Sequence, residues 1–479
     1  MAAFDQELFF ATITKINARL LKREFSAVEL ARAFLDRLER LGPRYNALAL
    51  LLRDQALRQA QRVDEEIKRG RLRGPLQGIP FGAKDLLSVA RTPTTWGARP
   101  YATQTFDYTA TVLRKLERVG AVLTGKLAMI ELAGGGGYRW ASASMHGPCL
   151  NPWDTARWAG GSSSGSGAAV AAGLVCFALG SETWGSITTP SAYCGVTGLR
   201  PTYGLVSRYG AMALSWTMDK IGPLARSAED CGLVLQAISG GDWQDPGSAG
   251  KSFYYAPQYA PPLKSLRVGF APVDFQEWAE PAARPAFLES LETLRALGLQ
   301  CKEVRLPDYP YSAVAGLIID TEGSAAFEDL IASGKVNELA DAHQIAGLKA
   351  GLEVSARDYL RAMRVRRLIQ QELRTLLADV DLLVSPARFG PAPPISEPLD
   401  QSRSRDARPK DRGLADLGAA GNLAGLPALV LPCGFAESLP VALQLVGRPF
   451  SENMLLAVGR EFQRVTDWHR RRPPQLAAA

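Results

Sequence analysis

Residues 134–200 constrain the fold of this 479-residue chain more than any other segment, because glycine and serine are concentrated there. Four consecutive glycines occupy positions 134–137, and positions 160–167 contain only glycine and serine. Glycine at this density indicates a backbone that approaches another group closely or adopts positive φ angles. A flexible linker would have a similar composition, but an apolar segment, Ala168–Leu179, begins directly after the second run and predicts a buried helix. The region is therefore predicted to be structured.

The remainder of the chain predicts an α/β fold. Ser26 and Glu29 form a capping box before a helix, and residues 53–69 predict a second, more polar helix. Further along, the short apolar run Leu76–Val89 predicts a strand, and Thr109–Val119 has helical spacing. Alternation of strands and helices along a chain is typical of an α/β body.

The same patterns predict how the chain is divided. We expect a helical N-terminal segment, residues 1–70, packed on one large domain that spans residues 71–479. A surface connection is predicted at about residues 241–263, and a mobile, proline- and arginine-rich loop at about residues 388–412.

Composition excludes several classes of protein. With 47% hydrophobic and 22% charged residues, the chain is neither disordered nor fibrous. The formal net charge of +7 is mild for this length, and the basic residues of segment 403–412 are predicted to form a solvated loop. Six scattered cysteines without a CxxC pair argue against a disulfide framework and a zinc site. We find no secretory signal and no bilayer-length apolar run, so we expect a cytoplasmic protein.

Histidine is too scarce for many hydrolase mechanisms. Any histidine base would have to be His146, His343 or His469. Ser163 lies at the centre of a GxSxG motif, but the preceding residues 151–159 do not read as the strand that a nucleophile elbow requires. Ser248 and Lys251 match SxxK, without the SDN and KTG motifs that accompany it in penicillin-binding proteins. No phosphate-binding glycine loop of the GxxxxGK[ST] type occurs.

Lys84 offers a different base. It is a single lysine in the apolar stretch Gly78–Asp85, where a packed stem with an outward-reaching amine is the ordinary interpretation. Two further segments change that interpretation, namely Gly160–Ser163 and Gly180–Ile187. Together the three segments resemble those of the amidase signature family. Further landmarks of the family are found at Tyr108–Val112, Asn151–Asp154, Gly195–Thr202, Asn422–Pro427 and Gln444–Gly447.

The resemblance implies both a fold and a set of catalytic residues. The fold is a central mixed sheet of many strands sandwiched by helices. The catalytic residues are Ser186 as nucleophile, Ser162 as bridging serine and Lys84 as base, with Ser163 as a supporting hydrogen-bond donor. The spacing of 24 residues between the two catalytic serines matches that of the family. The resemblance implies no metal and no cofactor.

The resemblance also implies an oxyanion hole formed by the backbone N–H groups of Thr183, Trp184, Gly185 and Ser186. This chain departs from the family in that region. Trp184 stands where glycine is usual, Thr188 where arginine is usual, and Glu182 where aspartate is usual. Trp184 retains its N–H, so the hole can survive, but a large indole must alter the packing or narrow the pocket.

The substrate-facing loop of the family corresponds here to Gly134, Gly135, Tyr138 and Trp140. Four glycines would leave space that larger residues fill, so a roomy acyl pocket with Tyr138 as an aromatic wall is one expectation. A solvent loop with a buried tyrosine is the other.

The leading hypothesis for function is a stand-alone serine amidase that hydrolyses a carboxylic amide to an acid and ammonia or amine. The alternative is the glutaminase component of a tRNA-dependent amidotransferase, its A subunit, which releases ammonia from glutamine inside a complex. A binding protein with an inactive site is a third possibility. The leading hypothesis predicts a small-molecule amide as the partner, with no nucleic acid and no membrane, and a monomer or homo-oligomer.

Overall fold

The computed structural model describes residues 5–399 and 409–474. Its strands are β1 Leu48–Leu51, β2 Pro80–Lys84, β3 Val122–Leu127, β4 Leu150–Asn151, β5 Asp154–Trp158, β6 Phe177–Glu182, β7 Thr197–Arg200, β8 Lys220–Ala225, β9 Arg267–Phe270, β10 Gln300–Glu303, β11 Leu382–Pro386, β12 Ala428–Ala436 and β13 Leu439–Gly447. Its α-helices are α1 Ile13–Leu21, α2 Ala27–Leu41, α3 Arg53–Lys68, α4 Thr111–Arg118, α5 Ser164–Ala171, α6 Thr188–Cys194, α7 Ala228–Ile238, α8 Arg284–Ala296, α9 Tyr311–Ala326, α10 Glu328–Ala332, α11 Ala342–Gly351, α12 Ala356–Asp379, α13 Leu417–Leu423 and α14 Glu452–Val465.

A mixed sheet of 11 strands forms the centre of the molecule, in the order β1-β3-β2-β6-β8-β7-β12-β13-β11-β9-β10. Strand β2 runs parallel to both β3 and β6, whereas β8 is antiparallel to β6. Helices flank this sheet, and β4 and β5 form a separate small hairpin. The predicted α/β fold with a large mixed sheet is confirmed.

The parallel pairing of β2 with β6 brings two distant parts of the chain to one edge of the sheet. Phe81 pairs with Phe177 and Ala83 with Leu179, so both strands end at the same edge. Lys84 is the last residue of β2, and Ser181 is the penultimate residue of β6. Carboxyl ends of parallel strands are a common place for a functional site in open α/β sheets.

The prediction of one buried helix over Ala168–Leu179 is wrong. Helix α5 ends at Ala171, the chain turns at Gly173 with φ +64°, and β6 begins at Phe177. Every residue from 168 to 179 is buried. An apolar run without a polar face fits a buried helix and a central strand equally well. Stacking of Phe177 on Phe81, with ring centroids 5.0 Å apart, helps to fix the strand.

The N-terminal residues are helical and also contribute to the sheet. The capping box of α2 forms as predicted, with Ser26 accepting from the backbone of Glu29 and the Glu29 carboxylate accepting from the backbone of Ser26. Strand β1 pairs antiparallel with β3, which places it at the end of the central sheet. The division of the chain near residue 70 stays a prediction.

Two further sequence predictions concern the mobile loop at about residues 388–412 and the lack of a membrane-spanning segment. Residues 400–408 of the predicted mobile loop lie outside the described residues. Among the residues that are described, no helix combines the length and the apolar character needed to cross a membrane.

Candidate active site

Lys84 is fully buried at the end of β2, and its amine does not reach solvent. The Lys84 Nζ atom donates to Ser162 Oγ over 2.7 Å and to Ser181 Oγ over 2.9 Å. The structure thus brings two of the three predicted catalytic residues into contact. It also adds Ser181, which sequence reasoning missed although it lies within the Gly180–Ile187 motif.

Burial changes the basicity of this lysine. Removal from water lowers the pKa of Lys84 from 10.5 to about 7, although the carboxylates of Asp219 and Glu182 act in the opposite direction. A substantial fraction of the amine is therefore neutral near pH 7. The contact with Ser162 is short enough for a proton to pass between the two groups.

The loop that carries Ser162 packs tightly beside the turn that carries Ser186. Gly160 has φ +85°, and a Cβ at this position would lie 2.7 Å from the Cα of Pro190, so only glycine fits. The Gly161–Ser162 peptide bond is cis. Ser163 N donates to the carbonyl oxygen of Ser186 over 3.3 Å, which ties this loop to the turn that carries Ser186.

Ser186 lies in the turn between β6 and α6 and is 7% exposed. Gly185, directly before it, has φ +90°, a conformation that favours glycine. Within residues 5–399 and 409–474, Ser186 Oγ has no hydrogen-bond partner, and the backbone N–H groups of Trp184, Gly185 and Ser186 have no acceptor. A free hydroxyl beside several free N–H groups is the arrangement that an oxyanion hole requires.

Glu182 fixes the far side of this turn. Its Oε2 accepts from the backbone N–H groups of Ile187 and Thr188 at 2.8 and 2.9 Å. Its Oε1 accepts from Arg200 at 2.8 Å and from Asn422 at 2.9 Å, in a fully buried ion pair. Burial opposes ionisation of Glu182, but the charges of Arg200 and Lys220 outweigh it and lower the pKa of this carboxyl to about 2.

Thr183 and Trp184 are the first two residues of the predicted oxyanion hole. Thr183 Oγ1 donates to Asp219 Oδ1 over 2.6 Å. The Trp184 side chain is 39% exposed, so its indole lies toward the surface and leaves its backbone N–H available. The departure from glycine at position 184 is thus accommodated by directing the side chain outward.

The loop of residues 134–140, which is predicted to face the substrate, reaches the Ser162 loop through Tyr138. A Cβ at Gly134 would lie 2.7 Å from the Tyr138 ring, and a Cβ at Gly161 would lie 3.3 Å from the Tyr138 hydroxyl. The phenol is therefore next to the loop of Ser162. Trp140 is 39% exposed at the surface.

The glycines of this loop allow close packing on α11. A Cβ at Gly136 would lie 2.6 Å from Gln344 O and 2.6 Å from Leu348 N, and a Cβ at Gly135 would lie 2.8 Å from Leu214 Cδ1. Space is used for contact between backbones, which differs from the expectation that glycine leaves a roomy pocket.

The rival nucleophiles are not assembled. Ser163 is fully buried, and its hydroxyl exchanges hydrogen bonds of 3.2 Å with the backbone of Ser181. Among the residues described, no histidine contacts it through a hydrogen bond. Ser248 Oγ accepts from Asp242 N, whereas the Lys251 amine lies over the Phe450 ring, so this SxxK match is no catalytic pair.

A cavity of about 500 Å³ opens next to Ser181. Its lining includes Ser181, Thr183 and the exposed side chain of Trp216. Neither Ser162 nor Ser186 lines it. The cavity therefore reaches Ser181, which is hydrogen-bonded to Lys84.

Comparison with known proteins gives a consistent family. Residues 29–456 match the Amidase family. The chain is 39% identical to the A subunit of the glutamyl-tRNA(Gln) amidotransferase of Chloroflexus aggregans, over 98% of this chain and 99% of that protein. It is also similar to the solved structure of the peptide amidase of Stenotrophomonas maltophilia, with 31% identity, a TM-score of 0.83, and coverage of 97% and 98%. A structure described as a vestigial complex that reveals the origins of an s-triazine catabolic enzyme gives a TM-score of 0.85 at 31% identity, covering 95% of this chain and 98% of that one.

These relatives contradict the prediction about the partners of the protein. The sequence predicts a small-molecule amide as the sole partner, with no nucleic acid. Relatives that match nearly end to end are named as components of a glutamyl-tRNA(Gln) amidotransferase, at 37–39% identity. The prediction is therefore wrong. The motifs could not reveal this, because an amidase site can work alone or inside a complex, and the motifs carry no information about partners.

Proposed function

The chain belongs to the Amidase family, and on that premise we propose that Ser186 is its nucleophile, Ser162 its bridging serine and Lys84 its base. The protein is an amidase, a hydrolase that acts on the C–N bond of amides. The observation that carries the assignment of residues is the 2.7 Å contact between a buried lysine and Ser162, in the loop tied to the Ser186 turn.

The proposed reaction begins with attack of Ser186 Oγ on the carbonyl carbon of the amide. The proton of Ser186 passes to Ser162 Oγ while the proton of Ser162 passes to Lys84 Nζ. The carbonyl oxygen becomes an oxyanion that accepts from the free N–H groups of the Trp184–Ser186 turn. Loss of one such donor typically costs about 3 kcal/mol of transition-state stabilisation.

Collapse of this intermediate breaks the C–N bond. The leaving nitrogen takes the proton back through Ser162, departs as ammonia or amine, and leaves an acyl group on Ser186. Water then attacks the acyl group by the same relay, which releases the acid. A lysine whose pKa falls from 10.5 to about 7 has lost about 5 kcal/mol of preference for its charged form, which makes it a competent base near neutral pH.

We propose the amidotransferase setting for this chemistry, with glutamine as the ammonia donor and the other amidotransferase components as partners. Support comes from the relatives named as the A component of that enzyme, whose sequences this chain covers nearly completely. A protein with that role would work in the cytoplasm, where aminoacylated tRNA is used. The second candidate is hydrolysis of peptide amides, supported by the 31% identity to a peptide amidase over 97% of the chain.

Labelling with a fluorophosphonate, followed by peptide mapping, tests the residue assignment. We expect one adduct, on Ser186, that is absent from Ser186→Ala and forms at least 100-fold more slowly in Lys84→Ala, because general-base catalysis is worth about 10²- to 10⁴-fold. An adduct on Ser163, or a rate that is independent of Lys84, would contradict the assignment.

Assays of ammonia release distinguish the amidotransferase setting from the hydrolysis of peptide amides. The purified chain is assayed with glutamine and with a C-terminal peptide amide, alone and together with the co-expressed other components of the amidotransferase. The amidotransferase setting predicts that these components bind the chain and raise glutamine hydrolysis. Turnover of the peptide amide by the chain alone, with no effect of the other components, would support the second candidate and contradict the first.

A further inference from the structure

Arg388 lies beside the nucleophile turn, although it is 202 residues away from Ser186 along the chain. Its Nε donates to Thr189 Oγ1 over 3.1 Å, and its Nη2 contacts the same oxygen. A Cβ placed on Gly185 would lie 3.3 Å from Arg388 Nη2. The guanidinium therefore borders the residue that immediately precedes the nucleophile.

The backbone holds Arg388 in this position from both sides. Ala387 N donates to Ala442 O over 2.8 Å, directly after β11 pairs with β13. On the other side, Phe389 O accepts from Glu280 N over 2.7 Å. An arginine on a segment anchored in this way has its main chain fixed before a ligand arrives, which reduces the entropic cost of binding.

The positive charge of Arg388 is not neutralised within the described part of the chain. Among the described residues, no carboxylate lies within ion-pair distance of its guanidinium, and its one hydrogen-bond partner there is a neutral hydroxyl. The side chain is exposed, so its remaining N–H groups are open to a ligand. An arginine presents its donors in a fixed fork that matches a carboxylate.

Two tyrosines lie close to this part of the site. A Cβ at Gly161 would lie 3.3 Å from the Tyr138 hydroxyl, and Tyr193 follows Thr189 by one turn of α6. Burial raises the pKa of the Tyr138 and Tyr193 phenols, and the charge of Arg388 acts against that rise in both. Both phenols are therefore neutral hydrogen-bond donors near a cation. Glu280 acts on Tyr193 with the opposite sign. Its carboxylate lies against Gly390, so this corner carries both a positive and a negative charge.

We propose that Arg388, together with Tyr138 and Tyr193, forms a subsite for a carboxylate on the amide substrate. The guanidinium reaches Thr189, three residues after Ser186, from a different element of the fold. The preferred substrate is therefore an amide that bears a carboxylate on its acyl part. This inference rests on the proposed function, because it specifies the substrate of the Ser186 site.

Pairs of substrates that differ only in the carboxylate test the subsite. Ammonia release is measured from succinamate and glutaramate and from the uncharged butyramide and pentanamide. We expect the wild type to prefer each acid, and Arg388→Gln to lower the ratio of kcat/KM for acid over alkyl amide by about 10- to 100-fold, the usual worth of a hydrogen bond to a charged group. The loss should appear mainly in KM, and Arg388→Lys should restore part of it.

Controls distinguish recognition from structural damage. Arg32→Gln replaces an exposed arginine on α2, far along the chain, and should leave the ratio unchanged. An Arg388→Gln variant that loses both substrates of a pair equally, or a wild type without preference for the acid, would overturn the subsite.

Binding of glutarate by calorimetry reads the subsite without chemistry. Glutarate binding that is lost in Arg388→Gln supports the subsite even if neither amide is hydrolysed, in which case the proposed reaction alone fails. Absence of glutarate binding in a wild type that hydrolyses amides overturns the subsite alone.

Discussion

At the scale of single residues, the environment of Lys84 decides whether its amine is a base. The side chain is fully buried, and it contacts two hydroxyls, those of Ser162 and Ser181. Hydroxyl groups can hydrogen-bond an amine in either protonation state, so they do not force it to remain charged. Burial therefore dominates, and the pKa of Lys84 falls to about 7.

The pH dependence of activity follows from this pKa. In the proposed mechanism the neutral amine is the active form, so kcat/KM should rise with pH up to about 7, fall about tenfold per pH unit below it, and level off above it. The measurement is kcat/KM for ammonia release between pH 5 and 9. His343→Gln is the control variant, because His343 is exposed on α11, and this variant should keep the same profile. A rise centred near pH 10 would show that the lysine is charged in the resting protein.

In the proposed mechanism, Glu182 positions the turn that carries Ser186. Replacement of Glu182 by Gln removes the charged partner of the fully buried Arg200 while conserving shape. Breaking a buried pair typically costs about 3–5 kcal/mol, so we expect a clear loss in the free energy of unfolding measured with urea.

Activity of the same variant reports on the turn itself. Because Glu182 accepts from Ile187 and Thr188 N–H, we expect the variant to change kcat more than KM. Glu182→Asp keeps the charge and should retain more stability than Glu182→Gln. Equal stability of the two variants would contradict a role for the charge.

At the scale of elements, the glycine loop and α11 form one unit. A Cβ on Gly347 would lie 1.8 Å from Gly136 O, which is a backbone atom that cannot move alone. Gly347→Ala should therefore displace α11 from residues 134–137 and lower the melting temperature, since overpacking typically costs about 1–3 kcal/mol.

Gly316→Ala is the matched control for this prediction. Gly316 is also in a helix, α9, but a Cβ there would meet no atom within 4 Å. Alanine is favoured over glycine inside helices by about 1 kcal/mol, so this variant should be neutral or stabilised. A Gly347→Ala protein as stable as Gly316→Ala would show that the loop yields easily.

Elements with a polar face are predictable from the sequence, and those buried on all sides are not. Helix α2 has a capping box and an amphipathic pattern, and its start agrees with the sequence. Helix α5 and strand β6 are buried almost throughout, so their apolar run predicts a single helix. The missing information is which neighbours pair with the segment, and those neighbours are β2 and β8.

At the scale of the whole molecule, the N-terminal residues are tied to the core through Asp230 on α7. Ile13 N, at the start of α1, donates to Asp230 Oδ1 over 3.0 Å, while Oδ2 is buried without a partner among the described residues. Burial raises the pKa of Asp230 from 3.8 to about 7. The division of the chain into an N-terminal segment, residues 1–70, and a catalytic domain, residues 71–479, remains a proposal.

Stability of the whole protein should depend on the protonation of Asp230. Because its pKa is higher in the folded than in the unfolded state, its contribution is full below pH 3.8 and is lost as the pH rises through about 7. Relative to Asp230→Asn, the wild type should lose up to about 4 kcal/mol of unfolding free energy between pH 4 and 8. Urea unfolding at several pH values measures this difference.

Asp274 allows the pH dependence due to Asp230 to be distinguished from that due to other buried carboxyl groups. Its pKa is also raised to about 7 by burial, in a different part of the molecule, where it accepts from Leu414 N. Asp230→Asn should remove only part of the pH dependence, and the double variant with Asp274→Asn should remove more. A wild type and an Asp230→Asn variant with parallel pH profiles would contradict the raised pKa of Asp230.

The alternation of helices and strands along the sequence predicted the α/β class. The resemblance of motifs such as Gly160–Ser163 and Gly180–Ile187 to those of the family predicted the amidase chemistry, because recognising such motifs needs no knowledge of contacts. The geometry of the candidate site depended on the tertiary structure. Parallel pairing of β2 with β6 brings Lys84 to Ser181, and the loop before α5 brings Ser162 to the same amine. The same holds for Arg388, whose place beside Gly185 follows from the position of β11 and has no local signal. Local patterns record local chemistry, whereas burial, charge compensation and the approach of distant segments exist only once the chain has folded.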